Sequence, residues 1–66
     1  MWIDVGGATV DPQDVKYISD VRPQHGEGFA AGMKSVVHLK SGGWLYARFA
    51  RRAIIRRVQA ATTITD

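Results

Sequence analysis

The chain has 66 residues, 45% of them hydrophobic, a formal net charge of +3 and no cysteine. This length leaves room for one domain of marginal stability, because a small fold buries a small share of its surface. The lack of cysteine excludes disulfides and thiolate metal sites, and His25 and His38 lack the close spacing of a paired zinc site. We therefore predict no cofactor, and we expect a homo-oligomer, since self-association is the remaining way to reinforce a thin core.

The first predicted strands are short and are joined by glycines. WIDV alternates apolar and polar residues as a half-buried strand does, the Gly6–Gly7 pair predicts a tight turn, and ATV predicts the returning strand. VDPQDV then predicts a capped helical turn, with Asp11 as the N-cap, Pro12 at the first helical position and the Asp14 carboxylate reaching back to the cap.

A third strand is predicted over VKYISDV, which resumes the alternation. Val15 and Tyr17 fall on one side of it and Ile18 on the other, so we expect both faces to be covered. Residues 22–35 follow, with three of the seven glycines and one of the two prolines. They predict a long mobile hairpin loop or two ragged strand ends, and loops of this length are usually functional or disordered.

The clearest hairpin is VVHLKSGGWLYARF, in which two β-rich arms are joined across SGG. Alternation along the second arm places three residues with aromatic or cationic side chains on one face: Trp44, Tyr46 and Arg48. The other face carries Leu45, Ala47 and Phe49.

From about residue 50 the hydrophobic period becomes helical, and we predict a helix over about 50–61 with a frayed tail at 62–66. Its apolar sector contains Ile54, Ile55 and Val58, and its opposite half contains Arg52, Arg56 and Arg57. Arg51 lies within the apolar sector but in the first turn, where its long side chain can reach outward to solvent.

These elements predict an α+β fold with a single compact β-rich domain over residues 1–61. We expect a small twisted antiparallel sheet of four to five strands, covered on one face by the C-terminal amphipathic helix. The predicted core consists of apolar residues of the strands and of the inner helix sector: Ile3, Val5, Val10, Val15, Tyr17, Val37, Leu39, Leu45, Phe49, Ile54 and Val58.

The distribution of charge points to a partner. Residues 48–57 hold five arginines and no acid, so the whole basic excess of the chain comes from one short segment. A surface helix usually interleaves acids with its cations for i, i+4 pairs, and this one does not. We therefore predict a binding protein with a regulatory role, whose partner is nucleic acid and whose site residues are Arg48, Arg51, Arg52, Arg56, Arg57, Trp44 and Tyr46.

The alternative is a protein-interaction module that uses the same surface. The arginines can meet an acidic protein surface, including the acidic strands of a second copy in a homo-oligomer, and Trp, Tyr and Arg are enriched at interface hot spots. A small accessory protein encoded by a phage or mobile element and binding a host factor also fits this alternative.

The order of elements and two short motifs resemble known small modules. VDPQDV is similar to the NPD-like step that follows a glycine turn in FlbD-type small proteins of flagellar operons, and DVKYIS is similar to the DIxYIE pattern in the core of LytTR-type DNA-binding domains. The resemblance implies strands followed by a terminal amphipathic helix. The segment 22–35 departs from both families, and the arginine-rich helix differs from the acidic helix usual in the FlbD type.

Catalysis and membrane insertion are not expected. No phosphate-binding loop, nucleophile motif or metal-ligand cluster is present, and Asp11 and Asp14 are better explained as capping residues than as a catalytic pair. The chain has no apolar run of the roughly 18 residues that span a membrane, and MWIDVGG does not resemble a secretory signal. We expect a prokaryotic or phage protein of the cytoplasm.

Overall fold

Two antiparallel sheets and one C-terminal helix form the fold in the computed structural model, which describes residues 2–62. A two-stranded sheet contains β1 (Ile3–Asp4) and β2 (Thr9–Val10). A three-stranded sheet, ordered β3-β4-β5, contains β3 (Val15–Asp20), β4 (Ser35–Leu39) and β5 (Trp44–Ala47). A single-turn helix α1 (Glu27–Ala30) precedes β4, and α2 (Arg51–Thr62) follows β5. The α+β class is confirmed.

The expected single sheet of four to five strands is corrected by this topology, because the five strands divide between two sheets. The β1–β2 hairpin joins the segment after β5 by two backbone bonds, from Arg48 N–H to the Gly6 carbonyl and from Phe49 N–H to the Val5 carbonyl. The approach requires glycine at position 6. Its φ is +94°, and a Cβ there would lie 2.9 Å from the Phe49 nitrogen.

The predicted helical turn is a 3-10 turn over Pro12–Asp14, with Asp11 as its N-cap. The Asp11 carboxylate accepts from Gln13 N–H at 3.0 Å, as predicted. The predicted role of Asp14 is wrong, because its carboxylate accepts from the backbone N–H and the hydroxyl of Ser41, at 3.0 and 2.9 Å. Asp14 thereby ties this turn to the β4–β5 turn.

A register shift in β3 changes which side chains reach the core. Val15 pairs with Leu39 and Tyr17 pairs with His38, so the strand has an irregularity between Val15 and Tyr17. Such a bulge moves the following side chains to the other face. Ile18 therefore packs against the core, and the prediction of Tyr17 as a core residue is wrong, since its side chain is 52% exposed.

The core lies between the three-stranded sheet, the β1–β2 hairpin and α2. Its buried members are Ile3, Val5, Val10, Val37, Ala47 and Ile54, of which Val5, Val37, Ala47 and Ile54 are fully inaccessible to solvent. The other predicted core residues except Tyr17 pack against this cluster while partly exposed: Val15, Leu39, Leu45, Phe49 and Val58. The buried residues Val36 and Ala47 were not predicted.

The segment 22–35 contains local structure that its glycine content does not predict. A 3-10 turn over Pro23–His25 leads into α1, and Gly28 of α1 is buried. This segment packs against the face of the three-stranded sheet opposite the core, where Gly28 meets the ring of Tyr46. The helix predicted over about 50–61 is α2, and residues 63–66 of the predicted tail lie outside the described residues.

Candidate nucleic-acid interface

Helix α2 packs on the core through Ile54, and its arginines point away from the core. Arg51, Arg52, Arg56 and Arg57 are all exposed, and we call these four side chains the arginine face. The helix contains no acidic residue. At about 3.6 residues per turn, Arg52 and Arg56 lie one above the other, so two like charges adjoin on the helix surface.

Two members of the arginine face have contacts within the chain. Arg51 Nε lies 3.8 Å from Asp20 Oδ1, and both side chains are about half exposed. An ion pair in that setting contributes about 0–1 kcal/mol and leaves Arg51 able to exchange its partner. The Arg57 guanidinium lies over the Phe49 ring, 4.9 Å from its centroid, and this cation–π contact holds the charge at the helix surface.

Within residues 2–62, the Arg51–Asp20 contact is the only ion pair. Arg48, Arg52 and Arg56 therefore carry their charges without an acidic partner in this part of the chain. Arg48 lies just before α2, beside the β1–β2 turn, where its Cβ approaches Gly6 and its Nε approaches Gly7. The result is a cationic surface that runs from this turn along the helix.

The predicted aromatic residues lie on a different face of the molecule. Leu45 and Ala47 pack into the core that α2 covers, so the alternating Trp44 and Tyr46 point to the opposite face of the sheet. We call this opposite face the outer sheet face. Because β5 ends at Ala47, its alternation does not extend to Arg48. The structure therefore separates the aromatic pair from the arginine face.

Tyr46 has a structural role on the outer sheet face. Its hydroxyl donates to the His25 carbonyl at 3.1 Å, and its ring contacts Gly28. The side chain thus holds the segment containing α1 against the sheet. Trp44 packs edge-on against it, with ring centroids 5.0 Å apart and an interplanar angle of 73°. Trp44 itself remains 57% exposed.

Two further aromatic rings on the outer sheet face were not predicted as site residues. Tyr17 and His38 stack with centroids 4.0 Å apart and planes within 11° of parallel. Ser19 Oγ lies 3.1 Å from Nε2 of His38, and this hydrogen bond restricts rotation of the His38 ring. The sequence carries no signal for this pair, because the bulge in β3 decides that Tyr17 faces outward.

An open groove of about 360 Å³ lies between β3 and α2. Ile18, Ile55 and Val58 provide apolar walls, and the cationic Lys16 and Arg51 also line it. The groove can therefore hold an apolar group beside positive charge.

Residues 2–62 bring together no group of three His, Asp or Glu side chains that could hold a metal ion. None of the helices in this range has the length and apolar character needed to cross a bilayer. No protein-family model, curated protein or solved structure matches the chain at a significant level. The resemblance to FlbD-type proteins and LytTR-type domains therefore stays a prediction.

Proposed function

We propose that the protein binds nucleic acid through the arginine face of α2, as a non-catalytic cytoplasmic protein with a regulatory or accessory role. One observation carries the proposal: α2 exposes four arginines and no acid, and a single weak ion pair engages one of them. Guanidinium groups pair with phosphates through two parallel hydrogen bonds, and a row of them matches a polyanion better than isolated charges do.

A solvated helix surface is the competing explanation for the same residues. Like charges at i, i+4 cost about 0.2–0.5 kcal/mol per pair, so the Arg52–Arg56 pair opposes folding of the free protein. A phosphate backbone removes this repulsion and releases condensed counterions at the same time. The placement of Arg48 beside the β1–β2 turn extends the cationic surface beyond the helix.

The test is a fluorescence-anisotropy titration with random-sequence oligonucleotides over a salt series. The apparent association constant should fall linearly with salt on logarithmic axes, with a slope of about −0.9 per phosphate contact on duplex DNA. The double variant R52Q/R56Q should bind weakly and should flatten the slope by about 2, since two contacts are lost.

The matched control is K34Q/K40Q, which removes the same charge from exposed positions outside α2. It should bind nearly as the original protein does, apart from a small loss through net charge. Unchanged affinity in R52Q/R56Q, or equal losses in both double variants, would remove the proposal.

An acidic protein surface is the second candidate partner, and the groove between β3 and α2 favours it. Its apolar walls can seat one hydrophobic side chain, while Lys16 and Arg51 meet flanking carboxylates. The occupant can belong to another protein or to a second copy of this chain. Light scattering in the titration buffers distinguishes these cases: with no oligonucleotide binding at low salt, a defined oligomer would support a second copy of this chain, and a monomer would support another protein.

A further inference from the structure

The outer sheet face carries a row of three rings. Tyr17 pairs with His38 across β3 and β4, and His38 pairs with Trp44 across β4 and β5. The three residues therefore lie side by side on neighbouring strands, and the rings of Tyr17 and His38 are in direct contact. Large apolar groups that remain exposed are informative, and the two end members of this row, Tyr17 and Trp44, are 52% and 57% exposed.

The geometry of the Tyr17–His38 pair resembles that of stacked bases. The Tyr17 and His38 centroids are 4.0 Å apart with nearly parallel planes, and successive bases along one DNA strand are about 3.4 Å apart. A planar base placed on the open side of Tyr17 extends this stack, and the exposed ring of Trp44, which packs edge-on against Tyr46, offers a second face. Stacking of this kind needs no particular base, because every base has a π-face.

A cleft of about 130 Å³ adjoins the row, lined by His25, Val36, His38, Trp44 and Tyr46. Pockets for drug-sized ligands measure about 300–1,000 Å³, so this cleft suits a single planar ring. Four of its five lining residues carry aromatic rings, and Val36 forms the apolar remainder.

Hydrogen bonds hold the cleft in shape. Nδ1 of His25 accepts from Arg22 N–H at 2.7 Å, and the His25 carbonyl accepts from the Tyr46 hydroxyl. Ser19 holds His38 from the neighbouring strand. Fixed rings lose little conformational entropy when a ligand binds, and this preorganisation favours affinity.

We propose that the row Tyr17–His38–Trp44 and its cleft bind the unpaired bases of a single-stranded nucleic acid. The inference rests on the proposed function, because the arginine face supplies the phosphate contacts. It also specifies the substrate. The two surfaces lie on opposite sides of the three-stranded sheet and meet only at its β3 edge, where Tyr17 and Arg51 line one groove, and a duplex is stiff over about 150 base pairs. A flexible single strand can follow the surface from one face to the other, whereas a short duplex contacts one face.

The experiment compares three probes of equal length, about 12 nucleotides, within the ~4–16 nucleotide sites of small single-strand binders. They are an oligothymidylate, the same sugar-phosphate chain without bases, and a duplex. The protein carries Trp2→Phe, so that Trp44 is the only tryptophan reporter. We expect the oligothymidylate to bind at least about tenfold tighter than the abasic chain, and to quench Trp44 emission.

Variants identify the surface. Tyr17→Ala and Trp44→Ala should each reduce the oligothymidylate affinity toward that of the abasic chain, with Trp44→Ala followed by anisotropy. Both residues are more than half exposed, so the core is unaffected. Phe29→Ala is the matched control, since Phe29 is 52% exposed but lies outside the row, and it should leave the preference for bases unchanged.

Failure of this inference and failure of the proposed function give different results. Salt-sensitive binding of all three probes with equal affinity, and unchanged Trp44 emission, would overturn base stacking and leave phosphate binding by the arginines intact. A preference for bases that survives in R52Q/R56Q, while affinity for every probe falls, would support both surfaces. Absence of binding to every probe at low salt would overturn both.

Discussion

The backbone of Gly28 in α1 lies close against the ring of Tyr46 in β5. A Cβ added at Gly28 would lie 2.5 Å from Cζ of Tyr46, far inside van der Waals contact. Gly28 is therefore retained in a helix although alanine is intrinsically favoured there by about 1 kcal/mol. The ring of Tyr46 occupies the space that a side chain would need.

We predict that Gly28→Ala destabilises the fold by about 1–3 kcal/mol, because the overpacking outweighs the gain in helix propensity. Urea unfolding measures the change. Gly43→Ala is the control and should be nearly neutral, since the nearest atom to its Cβ is 3.7 Å away. In a Tyr46→Ala background the cost of Gly28→Ala should disappear, and a cost that persists would contradict the assigned contact.

Single residues also show which side-chain contacts can be predicted from the sequence and which cannot. Asp11 was predicted correctly as a cap, because capping depends on neighbours in the chain. Asp14 bonds to Ser41, and no local pattern reveals a partner so distant in sequence. Tyr46 was predicted as a binding residue, and its hydroxyl is engaged by the backbone of His25.

Among the elements, α2 was predicted closely, α1 was not predicted, and β3 was predicted in extent but not in the direction of its side chains. A helix that buries one face shows its period directly in the sequence, so Ile54 was expected inside and Arg52 and Arg56 outside. In β3, a bulge between Val15 and Tyr17 reverses which side chains face the core. The bulge arises from the pairing of β3 with β4. The exposed aromatic row could not be predicted without that pairing.

The arginine face implies a conflict between stability and binding. We predict that Arg52→Glu stabilises the fold by about 0.5–1.5 kcal/mol, because a carboxylate in the first turn suits the helix dipole and pairs with Arg56 at i, i+4. The same change should weaken nucleic-acid binding about as much as R52Q/R56Q does, because it also lowers the charge of the arginine face by two. Urea unfolding and anisotropy on one preparation measure both effects.

Arg52→Gln is the control for this prediction. Its helix propensity is close to that of arginine, so its stability should stay near that of the original protein. If Arg52→Glu were less stable than Arg52→Gln, the assignment of Arg52 to an unpaired cationic surface would be wrong.

At the scale of the whole molecule, one small core serves two sheets and a helix. Ile54 is fully buried within it and packs with residues of the β1–β2 hairpin and of the three-stranded sheet. The class of the fold and most of this core followed from hydrophobic periodicity. The division into two sheets did not, because the first hairpin is held by bonds between residues far apart in sequence, from Arg48 to Gly6 and from Phe49 to Val5.

We predict that Ile54→Ala costs about 2–5 kcal/mol, through lost burial and the cavity left behind. For a chain of this length, at about 0.05–0.15 kcal/mol per residue, this is a large part of the total stability. Circular dichroism should show that a substantial fraction of the Ile54→Ala protein is already unfolded before urea is added. Ile55→Ala, at a half-buried position, is the matched control, and an equal loss there would show that Ile54 is not central.

The bonds from Arg48 and Phe49 to the first hairpin also impose an order of events during synthesis. The carbonyls of Val5 and Gly6 are synthesised before the N–H groups of Arg48 and Phe49, which donate to them in the folded chain. Until then, Val5 has no cover and the hairpin has no sheet beside it. We therefore expect chains that end before Phe49 to leave the first hairpin undocked, with the apolar side chains of Ile3, Val5 and Val10 exposed.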